Sequence, residues 1–439
     1  MKFYGRKEEL SVLSEAKKRS FANSQMTVVI GRRRVGKTRL ILQSLSKDDY
    51  LYFFVSKKAE SLLCLDFVQQ IKEVYGEEPI GRITQFQQVF KFICQLARKH
   101  HVNLVIDEFQ DFSLINPFVF SEIQRDWDLN KEEVKLNLII CGSVQSMMNR
   151  IFLDSREPLF GRASSILKVS PFTHATLKMI LIDHSPKAHP EDLLALYTIT
   201  GGTAKYIEHL VERDSLTFSK IIATVFHPQS FFLQEGRNAL IADLGKDHTV
   251  YFSILSLISN GFTTRPKIES VLQRPIGGHI NRLERVYNIV KREKPIFSKE
   301  NSTTIQFFIA DNFLRFWFRF IFKYQHMIEA KNYKTLVELV KRDYRGFAGL
   351  SLEQFFREQY RNSGEFTRVG NYWERGNQNE IDLVAVDEIN KKAIIAEVKW
   401  QKKRVSLPRL EVKSENLIKN HLRGYDIKFV ALGVEDIPL

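Results

Sequence analysis

Cysteine is scarce: Cys64, Cys94 and Cys141 are the three in 439 residues, odd in number, far apart, and each set among apolar neighbours. That argues against a disulfide-stapled secreted fold and a cysteine zinc site, and predicts three buried thiols. Long apolar runs are missing too, since no stretch reaches the roughly 18–20 uninterrupted apolar residues of a membrane span. The opening Met1 to Glu9 lacks the apolar core of a signal peptide. The expectation is a cytoplasmic chain with no membrane partner. Acid is in deficit as well, with 51 Asp and Glu against 65 Lys and Arg, a net charge of +14. Such a balance favours polyanions, although surplus Lys and Arg also make an ordinary solvated surface. Distribution is more telling: between Arg265 and Lys299 nine basic residues face three acidic ones, which marks that segment as a binding face.

What is present is the composition of a globular protein, 44% hydrophobic and 26% charged, with no low-complexity arm and no internal repeat. The length suits three or four domains of about 100–200 residues each. Residues 1–168 alternate short apolar runs (Thr27 to Ile30, Tyr50 to Val55, Val102 to Ile106, Leu136 to Cys141) with amphipathic stretches, as a helix-covered parallel sheet does. Residues 169–244 read as helical, broken at Gly201-Gly202-Thr203, and are expected to form a lid on that core. Residues 245–334 combine short helices, the turn Lys294-Pro295-Ile296-Phe297-Ser298 and a strand, the order of a helix-turn-helix with a wing. Residues 335–439 run helix, three strands, helix, strand.

The segment Gly31-Arg32-Arg33-Arg34-Val35-Gly36-Lys37-Thr38 has the spacing of a phosphate-binding loop, between a buried strand and an amphipathic helix that extends past Arg39. Gly31 and Gly36 let backbone amides turn towards phosphates, Arg34 and Val35 lie in the loop, Lys37 reaches the β and γ oxygens, and Thr38 can hold magnesium. Asn103 to Glu108 supplies the complement: an apolar strand delivers Asp107 to the magnesium shell and Glu108 to the attacking water. Ser143, just past the next strand, is placed to meet the γ-phosphate or the water; a plain turn serine is the alternative. ATP and Mg2+ are the expected cofactors.

These residues resemble the prokaryotic, archaeal-type P-loop ATPases of the AAA+/STAND-related group, whose members often carry a C-terminal nuclease-like domain. The resemblance covers nearly the whole chain. It includes Phe3-Tyr4-Gly5-Arg6-Lys7-Glu8-Glu9-Leu10, similar to the opening motif near the adenine, and Pro158-Leu159-Phe160-Gly161-Arg162, similar to the segment after the sensor strand. Arg162 is thereby a candidate arginine finger or sensor, or else a surface arginine. Gly201 to Tyr206 resembles the lid motif, with Ala204 where proline is usual, so Lys205 is a candidate only. The fold class implied is α/β: a P-loop ATPase core with a helical lid, a winged-helix domain and a C-terminal α/β nuclease-like domain.

Within the winged-helix segment, Ile276 to Arg285 would form the recognition helix, with Arg274, His279, Asn281, Arg282 and Arg285 able to meet phosphates or base edges of DNA, RNA not being excluded. Pure domain packing is the alternative use of such a module. Asp311 to Phe320 interleaves aromatics with arginines; a base-stacking platform is one reading, and domain packing is preferred because aromatics at helical spacing are usually core. In the last domain, period-two geometry puts Glu380 with Asp382, and Glu397 with Lys399, on shared strand faces. Asp382 with Glu397-Val398-Lys399 resembles the restriction-endonuclease-like D…(D/E)xK motif, without the proline that often precedes the aspartate. The resemblance implies metal binding by Asp382, Glu397 and the helical acid Glu353, with Lys399 serving the water. The overall expectation is an ATPase coupled to DNA binding and magnesium-dependent phosphodiester cleavage, with homo-oligomerisation and a place in defence or mobile-element processing among the roles that would suit it. The rival is a nucleotide-switched signalling or scaffold protein whose C-terminal domain binds without cleaving.

Overall fold

The computed structural model describes residues 1–244, 248–376 and 378–439, so the expected boundary at residue 245 falls outside them. The chain divides into two compact units: one of Lys2–Pro171 with Thr203–Lys205, the other of Phe172–Gly202 with Tyr206–Leu439 and Met1.

The first unit is built on five strands, β1 (Gln25–Ile30), β2 (Leu51–Phe54), β3 (Val102–Asp107), β4 (Leu136–Gly142) and β5 (Ser165–Lys168), ordered β2-β3-β4-β1-β5. Every pairing is parallel. Strands buried on both faces need apolar residues at both parities, and they have them. Val28, Ile30, Leu104, Ile106, Leu138 and Ile140 enter one apolar cluster. The intervening Val29, Val105, Ile139 and Cys141 enter another on the opposite face. Cys64, Cys94 and Cys141 are all buried free thiols, as expected.

The second unit holds the helical residues between 172 and 244, apart from Thr203–Lys205, together with the C-terminal elements. The helix Pro190–Thr200 is buried along its length and packs on the segment Asn312–Phe316 and on the long helix Tyr333–Asn362. These helices, expected as a lid on the nucleotide core, are therefore grouped with the C-terminal elements, because their apolar residues leave no solvent face on Pro190–Thr200 and that helix is closed over by the aromatic segment.

Helices His248–Ser259, Arg265–Leu272 and Gly277–Asn281, the last continued by a π-helical turn Arg282–Val286, precede an antiparallel pair, β6 (Val290–Glu293) and β7 (Gln306–Ile309). Ile276, Ile280 and Leu283 form the buried stripe at helical spacing, leaving Arg274, Asn281, Arg282 and Arg285 exposed and His279 half-buried. The loop between β6 and β7 is tied down: the Ile296 amide donates to the Asn371 carbonyl at 2.8 Å, and Phe297 stacks on His421. In the aromatic segment, Phe313, Phe316, Trp317, Phe318 and Phe320 are buried, so packing, not a stacking platform, is what those rings do.

Four strands close the chain, β8 (Arg368–Tyr372), β9 (Ile381–Asp387), β10 (Lys392–Val398) and β11 (Asp426–Leu432), in order β11-β10-β9-β8. β10 and β11 are parallel; the other pairings are antiparallel. The long helix packs against β9, while Leu410 and Leu417 of the helix Leu407–His421 join the sheet's core. Among the described residues no helix is long and apolar enough to cross a membrane.

Candidate functional site

β1 ends at Ile30 and the chain turns through residues 31–36 into the helix Lys37–Ser44. A Cβ on Gly31 would lie 2.5 Å from the Val169 carbonyl oxygen, and Gly36 sits at φ 95°, so both glycines are sterically required. Arg34 also takes a left-handed φ of 71°. The Lys37 ammonium donates to the carbonyls of Gly31 and Arg32 at 2.8 and 2.9 Å. Burial pulls its pKa down, against the opposing charges of Cys141, Glu108 and Asp107. Arg39 is exposed on the following helix.

β3, beside β4, delivers the two acids. Asp107 Oδ2 accepts from Thr38 Oγ1 at 2.9 Å and from the Tyr52 hydroxyl at 2.6 Å. Glu108 has a left-handed φ of 54°, which turns its carboxylate out of the strand direction. Its Oε2 accepts from Ser143 Oγ at 2.7 Å and from Gln110 Nε2 at 2.6 Å, while Arg33 Nε donates to Ser143 Oγ at 3.3 Å. The N-terminal motif reaches the same loop, for Arg6 donates to the carbonyls of Val35 (3.2 Å) and Ser170 (2.6 Å). So does the glycine-break segment, whose Lys205 amide donates to the Arg34 carbonyl at 3.1 Å.

Three residues of this network have contacts that sequence reasoning did not assign. Tyr52 acts across the β2/β3 register, in which Tyr52 pairs with Val105 and Phe54 with Asp107. Burial first, then the Asp107 hydrogen bond and charge, pushes its phenol up, keeping it a donor. Gln110 and Arg33 touch Glu108 and Ser143 through backbone turns that no local pattern announces. Tyr52→Phe is expected to cost about 1 kcal/mol of stability, the net value of one such hydrogen bond, read from urea unfolding; an unchanged midpoint would mean that the hydroxyl does not hold Asp107.

Arg162 is elsewhere. It lies just ahead of β5, whose Ser165 pairs with Thr27 near the start of β1, and it bonds Asp128 Oδ2 at 3.0 Å. The phosphate loop leaves the other end of β1, roughly 20 Å away at about 3.3 Å per strand residue. Arg162 therefore lies at the far end of β1 from the phosphate loop of its own chain.

In the C-terminal sheet, Asp382 on β9 and Glu397 on β10 converge on Lys399. Lys399 Nζ lies 3.4 Å from Asp382 Oδ2 and 3.1 Å from Glu397 Oε1. Asp382 Oδ2 also accepts from the Val398 amide at 2.8 Å, and Lys413 reaches Glu397 Oε2 at 3.0 Å. The Arg357 guanidinium bonds the Asp382 carbonyl at 3.0 Å and lies 3.5 Å from Glu353. Burial, then the Asp382 charge, raises Glu353 well above the usual carboxylate range, and raises Glu380 for the same reasons. Burial also acts against Glu397, but Lys399 and Lys413 outweigh it and hold that carboxyl low. Among the described residues no three His, Cys, Asp or Glu side chains form a set that could hold a metal ion; ammonium groups occupy the space between these acids.

A parallel sheet with a phosphate loop after β1 and an acid pair after β3 defines a P-loop ATPase, and the protein is an ATP-hydrolysing enzyme of that class. Residues 3–210 match the model of an ATPase domain predominantly from Archaea, and residues 317–416 that of a family described as "Archaea bacterial proteins of unknown function". An uncharacterized protein of Methanocaldococcus jannaschii is 29% identical over 411 residues, 91% of this chain and 88% of the relative. A Walker-type ATPase of Pyrococcus abyssi shares the fold with a TM-score of 0.55 at 16% identity, covering 72% of this chain and 96% of its own. The ORC2 protein of Aeropyrum pernix aligns with a TM-score of 0.48 at 15% identity, over 75% and 95% of the two chains.

Proposed function

We propose that the ATPase drives a nucleic-acid-processing activity housed in the second unit, with magnesium at the phosphate loop and, only once Lys399 and Lys413 leave the carboxylates they now pair with, at the C-terminal acids. At the phosphate loop, Thr38 Oγ1 and Asp107 Oδ2, 2.9 Å apart, are the hydroxyl and carboxylate that would hold Mg2+. The ion supplies charge neutralisation on the β and γ phosphates. Lys37 binds those phosphates, the loop amides orient them, and Glu108 takes the water's proton. Ser143 and Gln110 hold the Glu108 carboxylate, and Arg33 steadies Ser143. Arg162, if it stabilises a γ-phosphate at all, does so on another copy of the chain, which would make the active form a homo-oligomer.

The observation that carries the nucleic-acid reading is the convergence of Asp382, Glu397 and Lys399 at one edge of β9 and β10, with Glu353 on the adjoining helix. Burial and the Asp382 charge raise Glu353 and Glu380, a cost that a further cation beside them would relieve. The order helix, three strands, helix, strand is that of the nuclease fold this motif resembles, and the domain division 1–168, 169–244, 245–334 and 335–439 is retained as a functional one. Magnesium-dependent cleavage of labelled DNA and RNA is the test. The second reading, a signalling or scaffold ATPase whose last domain binds without cleaving, is favoured by Lys413, which fills a carboxylate oxygen of Glu397 that a metal would need.

The helix Gly277–Val286 is the proposed DNA-reading element, a winged helix whose wing is taken up in packing. Arg282→Ala with Arg285→Ala is expected to weaken duplex DNA binding and reduce the slope of log K against log salt by about 2, since each phosphate contact releases about one counterion. Fluorescence anisotropy across a salt series measures both. Wild-type affinity and slope in the double variant would make this helix a packing element only.

A further inference from the structure

The second unit contains a cavity of about 770 Å³ that none of the preceding chemistry uses. Its walls come from the turn after His248–Ser259, from β7, from the aromatic segment and from the long helix. Arg315, Arg319, Lys323 and Arg342 face it, against the single carboxylate of Asp343. Four cations and one anion leave a surplus of three positive charges.

Arg315 forms the floor. It is 5% exposed, its Nε has no hydrogen-bond partner, and among the described residues no carboxylate lies within ion-pair distance of it. Among the described residues its guanidinium donates to the Ser351 hydroxyl and lies 4.6 Å from the Phe347 ring centroid. A buried guanidinium with an idle donor is costly unless an anion completes it; burial alone pulls its pKa down to about 10. The rim is better supplied: Arg319 donates to Asn260 Oδ1 at 3.0 Å, and Arg342 pairs with Asp343 at 2.8 Å. Phe308 and Phe347, both half-buried, add flat apolar walls.

We propose that this cavity binds a phosphate-bearing nucleotide unit, with the phosphate on Arg315, Arg319 and Arg342 and the base against Phe347 and Phe308. Planar guanidinium forks match phosphate oxygens in pairs, and phenyl faces accept any base. The volume lies within the usual range of small-ligand sites, roughly 300–1,000 Å³, and exceeds what a bare carboxylate or phosphate would fill. The long helix carries Arg342 and Phe347 and, six residues past Phe347, Glu353, so an occupant would touch the helix that also serves the C-terminal acids.

The test uses the full chain with Lys37→Ala, so that the phosphate loop contributes no binding, and titrates AMP, ADP, inorganic phosphate, adenosine and a short 5′-phosphorylated single-stranded oligonucleotide by calorimetry. AMP, ADP or the oligonucleotide should bind, and Arg319→Ala with Arg342→Ala should weaken that binding at least tenfold. Arg342→Glu, at an exposed position, should do the same if the double variant does not fold. Binding confined to AMP and ADP identifies a free nucleotide as the occupant; binding confined to the oligonucleotide identifies a strand end. No binding by any nucleotide probe, inorganic phosphate binding as tightly as AMP, or unchanged affinity in the folded variants would overturn the assignment.

Discussion

Lys37→Ala is expected to weaken ATP binding at least about 100-fold, and Glu108→Gln to keep binding while losing hydrolysis by about 10²–10⁴-fold. The first figure follows from removing a charged group that meets two phosphates, worth about 2–5 kcal/mol in a desolvated setting. The second is the range typical of a positioned general base. The geometry separates the two roles: Lys37 Nζ sits on the loop carbonyls of Gly31 and Arg32, whereas Glu108 is held a strand away by Ser143 and Gln110. A fluorescent ATP analogue reports the binding and phosphate release the hydrolysis. Normal hydrolysis in Glu108→Gln would remove that residue from the chemistry, and Ser143 would lose its place as its orienting partner.

The second large effect is at the C-terminal acids. Asp382→Ala should abolish divalent-cation binding there, while Lys399→Ala should keep the metal and lose cleavage. Without metal, Asp382→Ala should melt at or above the wild-type temperature. The sign follows from the carboxyl that Asp382 perturbs. The Asp382 charge helps raise Glu353, and a carboxyl raised on folding makes the protein less stable as pH climbs past the ordinary carboxylate value. Removing Asp382 lowers that penalty at neutral pH. Added manganese should then raise the wild-type melting temperature more than that of Asp382→Ala, through binding linkage. The series belongs in the Lys37→Ala background, where nucleotide-bound metal does not contribute. Equal manganese shifts in the two proteins would mean that these acids are not a metal site and would favour the non-cleaving reading.

The nucleotide core was legible because its chemistry is written contiguously. Gly31 to Thr38 and Asp107-Glu108 each lie on one strand end, and parity along β1, β3 and β4 announces burial on both faces. The partners that tune those residues were not legible, because Tyr52 reaches Asp107 through strand register and Gln110 reaches Glu108 through a left-handed turn. Arg162 lies at the amino end of the sheet for a topological reason. A parallel sheet requires the chain to return to the amino ends of its strands before β5 begins, which sets Arg162, just ahead of β5, at the opposite end of β1 from the phosphate loop. The aromatic segment shows both outcomes. Its rings are core, as their helical spacing suggests, yet the cavity over Arg315 depends on where helices remote in sequence meet, which spacing along one helix does not encode.

The most direct test of an ATP-driven nucleic-acid-processing protein is a cleavage assay on labelled duplex DNA, single-stranded DNA and RNA in magnesium, with and without ATP, comparing wild type with Lys399→Ala. Cleavage of at least one substrate by wild type, altered by ATP and lost in Lys399→Ala, is the predicted result. No cleavage of any substrate, or equal cleavage by the two proteins, would contradict it.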